Sequence, residues 1–408
     1  MDWSDVRHDR RLRTSTTVAV AALAVGGSLF GLASPAFAAG GFLSGDLVIY
    51  EVQGTSSAAS AVDLVDYSEG GVPSGFSVSL PTADSGSTHA LTESGSALND
   101  GELTLSADGQ SVVATGYDAP TGTASVTSAA GIPRTVAVVS NSGTVDSSTS
   151  ITNATVEGNN FRSATTPSAG GLIYTGSGGG TGVTADGASN NSLLTTDKVH
   201  EVQIVDGQLY ESTTKNIYSV GTGVPTSGTQ ATTALLSGAN LPANFGPDQF
   251  AFATLGTGAT QPDTLYVADG SNGATPGDPD AVEKYSLESG VWTATGSVAV
   301  PLAAGIAVAV YGGAAHLFVT GATSSSASTN TVLYSITDSS GFGGTLSGTA
   351  TTLATAPTGT DFKGLVFAPP GPGAVTPETP YTLLLPGLAA VGLAGFLVYR
   401  RRRTVGGA

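Results

Sequence analysis

Phe362-Lys363-Gly364-Leu365-Val366-Phe367 reads as a buried strand, with apolar or aromatic side chains at four of its six positions. The next residues, Ala368-Pro369-Pro370-Gly371, cannot continue a central strand, because proline has no backbone donor to give to a ladder. The run comes after the last of a series of similar runs and has no neighbour of its own. Its partner has to be sought elsewhere in the chain.

Between Gly45 and Pro369 an apolar run, a short turn and a second run rich in Leu, Val, Tyr or Phe recur. The second run marks the register: Asp46–Tyr50, Ser111–Thr115, Leu172–Thr175, Gln208–Glu211, Thr264–Val267 and His316–Val319. Five of these marks have a candidate inner strand ahead of them, namely Glu102–Ser106, Phe161–Ala164, Val199–Ile204, Phe250–Ala253 and Ile306–Val310. The mark at Asp46 has none, and the run at Phe362 is the one left over. In a ring of sheets the last segment returns to complete the first, which removes the open edges. The expectation is an all-β, six-bladed β-propeller closed by a C-terminal strand, at roughly 54 residues per blade. Outer strands fit at Ala61–Tyr67 with Phe76–Leu80, and at Val282–Tyr285 with Val291–Ala294. A seven-bladed ring is one alternative. A tandem of β-sandwiches is another, but modules of about 100 residues would be separated by linker-like breaks. None occurs between Gly45 and Pro369, and the glycine-rich stretch from Gly176 to Gly182 is too short to be one.

Composition agrees with short strands and many turns. Charged residues make up only 11% of the 408 residues, while 57 glycines and abundant Ser and Thr weaken helix interiors. The formal charge is −17, and eight of the 14 basic residues are Arg7, Arg10, Arg11, Arg13 and Arg400 to Arg403 at the two ends. The middle of the chain is therefore acidic, which excludes nucleic acid as a partner. There is no cysteine, so no disulfide supports the fold.

Both ends carry an address. Arginines up to Arg13, an apolar run from Val18 to Leu32 and the small residues of Ala36-Phe37-Ala38 form a secretory signal over residues 1–38. Residues 39–369 would be the ectodomain and the proline-rich residues 370–380 a semi-rigid spacer. Residues 381–399, uncharged between Tyr381 and Tyr399, are about 28 Å long as a helix, close to a hydrocarbon core of ~30 Å. Arg400 to Arg403 begin a tail, 400–408, that belongs in the cytoplasm. The expected location is the cell membrane, single-pass, with the ectodomain outside. Spacer, apolar helix and arginine tail resemble the tripartite sorting tails of the PEP-CTERM and LPXTG classes, although Pro377-Glu378-Thr379-Pro380 replaces the Pro-Glu-Pro box and no Leu-Pro-x-Thr-Gly occurs. Phrases such as Leu105–Gln110 and Thr264–Gly270 resemble those of secreted bacterial propellers.

Signatures of chemistry are sparse. There is no Gly-x-Ser-x-Gly elbow, and Ile204 stands where a zinc-protease motif starting at His200-Glu201 needs its second histidine. No glycine loop has nucleotide-binding spacing. Asp269, Asn272, Asp278 and Asp280 fall in one loop whose oxygens could hold calcium, although a solvated loop shaped by Asx turns and Gly270, Gly273 and Gly277 explains them better. Aligning the inner strands places Glu102, Arg162, His200, Ala251, Ala307 and Lys363 at one level, with Asp100, Asn160, Asp197, Asp248 and Asp361 just ahead. Glu102, Arg162, His200 and Lys363 would then line one mouth of the channel and bind a ligand. Alternatively, these charges only neutralise one another. The functional expectation is a non-catalytic surface module, with no obligatory cofactor, that binds an unidentified ligand or protein. The second is a metal-dependent surface hydrolase of lactonase-like or phytase-like type, using the mouth carboxylates. An elongated adhesin of stacked sandwiches is the third.

Overall fold

A computed structural model describes residues 40–153, 156, 158–242, 245–270 and 280–371. The expected signal peptide, nearly all of the spacer, the spanning helix, the arginine tail, and Asn272 and Asp278 lie outside the described residues. Among the described residues no helix is long and apolar enough to cross a membrane.

Six four-stranded antiparallel sheets follow one another. Blade 1 joins Asp361–Phe367 to Leu47–Val52, Val62–Tyr67 and Pro73–Ser79. Blade 2 is Thr104–Leu105, Ser111–Tyr117, Arg134–Ser140 and Val145–Ile151. Blade 3 is Phe161–Thr165, Leu172–Ser177, Gly180–Ala185 and Ser192–Leu193. Blade 4 comprises Val199–Val205, Gln208–Thr213, Ile217–Val220 and Thr232–Ala234. Blade 5 comprises Pro247–Ala253, Thr264–Asp269, Ala281–Glu288 and Val291–Ala299. Blade 6 comprises Ile306–Tyr311, Ala314–Gly321, Val332–Asp338 and Thr351–Thr355. Each inner strand touches the inner strand of the next blade, and that of blade 6 touches that of blade 1. The chain is a closed six-bladed β-propeller.

Closure is made where the sequence places it. Leu47 pairs with Phe367, Val48 with Val366 and Ile49 with Leu365, and the ladder resumes at Glu51 with Phe362 and Val52 with Asp361. Alternation explains why these runs are apolar almost throughout: successive side chains point to opposite faces of a blade, and both faces are buried. Val48, Tyr50, Val52, Val62 and Leu64 pack toward blade 2, whereas Leu47, Ile49 and Tyr67 pack toward blade 6. The same holds around the ring, so that each of the six blade interfaces has its own apolar cluster.

Near the axis the blades crowd together. A Cβ on Gly364 of blade 1 would lie 2.7 Å from Glu102 Cα and closer still to the Leu103 amide of blade 2, and one on Gly305 of blade 6 would lie 2.9 Å from Gly364 Cα. Backbone cannot move aside as a side chain can. Gly364→Ala is therefore expected to lower the stability of the propeller by about 3 kcal/mol in chemical denaturation. An unchanged midpoint would mean that the blades are not held at this spacing.

Candidate functional site

Inner strands in four blades carry one residue more than the strands beside them. Pairing slips between Phe161 and Ser163, between Val199 and Val202, between Pro247 and Phe250, and opposite Tyr50 in blade 1. Such bulges re-aim the side chains of their strand. The second bulge residue caps the neighbouring blade: Ser163 Oγ accepts from Val202 N at 2.9 Å, Glu201 Oε2 from Phe250 N at 2.7 Å, and Gln249 Oε1 from Ile306 N at 3.0 Å.

The residues before these caps form one level of the ring: Lys363, Glu102, Arg162, His200 and Asp248, with Ala304 in blade 6. The expected residues Glu102, Arg162, His200 and Lys363 do share that level. Blades 5 and 6 correct the expected register by three residues: the blade 5 strand starts at Pro247 rather than Phe250, and in blade 6 the level falls at Ala304, just ahead of the strand that starts at Ile306. Asp248 and Ala304 occupy the level, and Ala251 and Ala307 line the opposite end of the channel.

The mouth itself is filled. The segment from Gly95 to Gly101, leading into blade 2, crosses it: Lys363 Nζ donates to Ala97 O at 2.6 Å, and Asn99 Nδ2 donates to Asp248 Oδ1 at 2.6 Å. Blades 2 and 5 face each other across a six-membered ring, so the second contact spans the channel. The space left beside Leu98, Asn99, Asp248 and Asn330 is a crevice of about 10 Å³, at the limit of room for one water.

Behind this cover the polar and charged groups are spent on one another. Lys363 Nζ lies 2.6 Å from Asp361 Oδ2, and His200 Nδ1 lies 2.7 Å from Asp248 Oδ1. Arg162 Nη1 donates to Val199 O at 3.0 Å, with its Nε 3.7 Å from Asp100 Oδ1. Asp100 also accepts from Tyr117 OH at 2.7 Å and Asn160 Nδ2 at 2.9 Å. Glu102 is 1% exposed, and its Oε2 has no hydrogen-bond partner. Burial first, then the charges of Asp248 and Glu201, pushes its carboxyl well above the usual range, against the pull of Lys363. Burial does the same to Glu93 and Glu201. Burial is the leading cause in all three, and neighbouring carboxylates add to it at Glu102 and Glu93. Deeper still, Gln249 bars the channel, its Nε2 donating to Leu103 O of blade 2 and, at 3.3 Å, to Leu365 O of blade 1.

The expected calcium loop is used differently where it is described. Asp269 Oδ1 accepts from Gly246 N at 3.0 Å and Asp280 Oδ2 from Leu302 N at 2.9 Å, and both residues are buried. They pin the segments that lead into the inner strands of blades 5 and 6. Among the described residues, three possible metal-ligand atoms converge only at Asp84, His89 and Asp118, within 4.8 Å of one another. His89 Nδ1 is 3.0 Å from Asp118 Oδ2 and 3.9 Å from Asp84 Oδ2. No spacing motif marks that trio, and His89 reads in sequence as an ordinary strand residue.

On the far side of Gln249 the channel is open. A cavity of about 370 Å³ is lined by Leu105, Ala251, Phe252, Val308 and Phe367, with Ser106, Gln203 and Asp206 as polar members. This end carried no sequence signal, because its side chains are ordinary strand residues.

No protein family matches the chain, and no curated protein matches it. Solved structures similar to it include one described as a 6-phosphogluconolactonase from Bacteroides fragilis, at 15% identity over 72% of this chain and 78% of that one, TM-score 0.40. Another is a protein of unknown function from Bacteroides caccae, at 11% identity over 79% and 98%, TM-score 0.42. The periplasmic gluconolactonase of Pseudomonas aeruginosa is similar at 12% identity over 71% and 78%, TM-score 0.39. Likeness this distant says nothing of activity, and the fold assignment rests on the six sheets themselves.

Glu201 gives the buried level a pH signature. A glutamate whose folded-state pKa is raised keeps its proton when the unfolded chain, near pH 4.5, has lost it. Its contribution is then greatest below about pH 4.5 and falls as pH rises toward the folded value. Glu201→Gln, which keeps the acceptor for Phe250 N, is expected to match the wild type at pH 4.5 and exceed its unfolding free energy at pH 8. Denaturant titrations at both pH values check this, and equal gaps would show that Glu201 is ionised in the fold.

Proposed function

We propose that the chain is a non-catalytic propeller displayed at the cell surface, anchored through residues 381–399 and binding its ligand at the open end of the channel. Gln249 carries this reading. Its amide divides the channel, and the cavity beyond is lined by a single carboxylate, Asp206, without lysine, arginine or histidine. Such a pocket retains a ligand by shape and a few polar contacts. It offers no base beside a nucleophile and no convergence of metal ligands. The hydrolase reading has less behind it, since the Glu102 level is covered and does not bring three ligand atoms together. A proline-rich spacer would hold the propeller off the membrane, within reach of an external partner.

Proteinase K applied to intact cells carrying the full chain should digest the propeller and leave the Arg400–Arg403 tail protected. The purified chain should melt at the same temperature with and without millimolar calcium, and should hydrolyse neither lactones nor phosphate monoesters. A propeller shielded from the protease would remove the surface address. Turnover abolished by Glu102→Gln would make the covered level an active site.

A further inference from the structure

The channel cavity does not end at blade 5. Val205, Asp206 and Phe252 also line a second hollow of about 410 Å³, which runs outward between blades 4 and 5. Its walls are Tyr210, Phe252, Leu287 and Trp292, and its polar members include Gln208, Ser219 and Gln261. Phe252 is the hub of the aromatic group, 5.0 Å from the Tyr210 ring and 5.9 Å from the Trp292 ring. All three rings are half-buried, so each leaves part of itself open to the groove. At the junction of the two hollows stands Asp206, exposed, in the two-residue turn with Gly207 and at a positive φ of 48°. The turn aims its carboxylate without involving it in any hydrogen bond that the structure records. Its charge is felt at Tyr210, whose hydroxyl is raised by burial first and by Asp206 second.

The geometry points to a neutral saccharide in the groove between blades 4 and 5, its ring against Trp292 and Phe252 and its hydroxyls on Asp206. This rests on reading the open end as a binding face. A sugar presents apolar C–H faces flanked by hydroxyl donors, and aromatic walls with a carboxylate at the rim match both. Phosphate and uronate groups are disfavoured, since the groove has no cationic side chain and the chain carries a charge of −17. A purely apolar ligand would leave the rim carboxylate and the Tyr210 hydroxyl without a match.

The chain has two tryptophans, Trp3 and Trp292, and Trp3 falls in the expected signal peptide. In the processed chain Trp292 fluorescence therefore reports on the groove alone. The full processed chain in detergent should be titrated with maltose, cellobiose, lactose and N,N′-diacetylchitobiose. A saturable change with at least one of them is expected, weakened at least tenfold in Asp206→Asn, whose replacement tolerates the same turn and should leave the melting temperature unchanged. No change with any of the four overturns the proposal. Binding that survives Asp206→Asn but is lost in Ala107→Leu, which narrows the channel cavity at its exposed rim without adding a fluorophore, overturns the groove while leaving a binding function in place. Binding untouched by either variant overturns both.

Discussion

Pairing of Asp361–Phe367 with Leu47–Val52 is the constraint from which the rest of the ring follows. Those strands are separated by nearly the whole described chain, and their ladder is the pairing that closes the ring. Through it Phe362 and Leu365 complete the apolar cluster between blades 6 and 1. The closing strand also fixes the spacing at the axis, because Gly364 sits against the backbone of Glu102 and Leu103. Only at that spacing can one glutamine side chain from blade 5 touch blades 1, 2 and 6 together.

A ring closed so tightly has a backbone problem at its centre. The inner face of each inner strand has no sheet neighbour, yet its amides are buried and must find acceptors. Ser163, Glu201 and Gln249 supply them, each to the next blade in chain order. Placing Glu201 among apolar strands costs its ionisation, which burial opposes. The charged level beside it is best understood in the same way. Lys363 with Asp361 is a pair within the closing strand, His200 with Asp248 joins the inner strands of blades 4 and 5, and Arg162 with Asp100 ties the inner strand of blade 3 to the segment ahead of blade 2; removing Lys363 or Arg162 leaves its partner carboxylate buried alone.

Continuous apolar strand runs were legible, and so was the displaced strand at Phe362, because both faces of a blade are buried and apolar composition survives in the sequence. The first residues of blades 5 and 6 were not. Pro247-Asp248-Gln249 and Ala303-Ala304-Gly305 have no strand propensity; the first joins its strand through a bulge, and the second lies just ahead of its strand, where Ala304 N donates to Thr320 O and Ala304 O accepts from Gln249 N of the neighbouring blade. This is why Ala251 and Ala307 stood in for Asp248 and Ala304. Nor could the cover over Glu102 be foreseen: Gly95 to Gly101 is composed like every other loop, and its path is fixed by contacts to Lys363 and Asp248 far away in the chain. Asp269 and Asp280 illustrate the converse, acidic residues whose clustering suggests an ion while their oxygens serve distant amides.

The two ends of the channel differ for a topological reason. Segments that carry the chain from the outer strand of one blade to the inner strand of the next arrive at the Glu102 end, and residues 80–103 make the longest such passage before blade 2. A long passage can cross the mouth and bury the side chains beneath it. At the other end the inner strands of blades 4 and 6 leave through tight turns, Asp206-Gly207 and Gly312-Gly313, which cannot reach the axis. Polar side chains beneath the crossing segment are therefore consumed in holding it, while those on the turns stay free for a ligand. The proposed recognition would thus fall to short turns and the aromatic flanks beside them, where side chains can change without disturbing the closure of the ring.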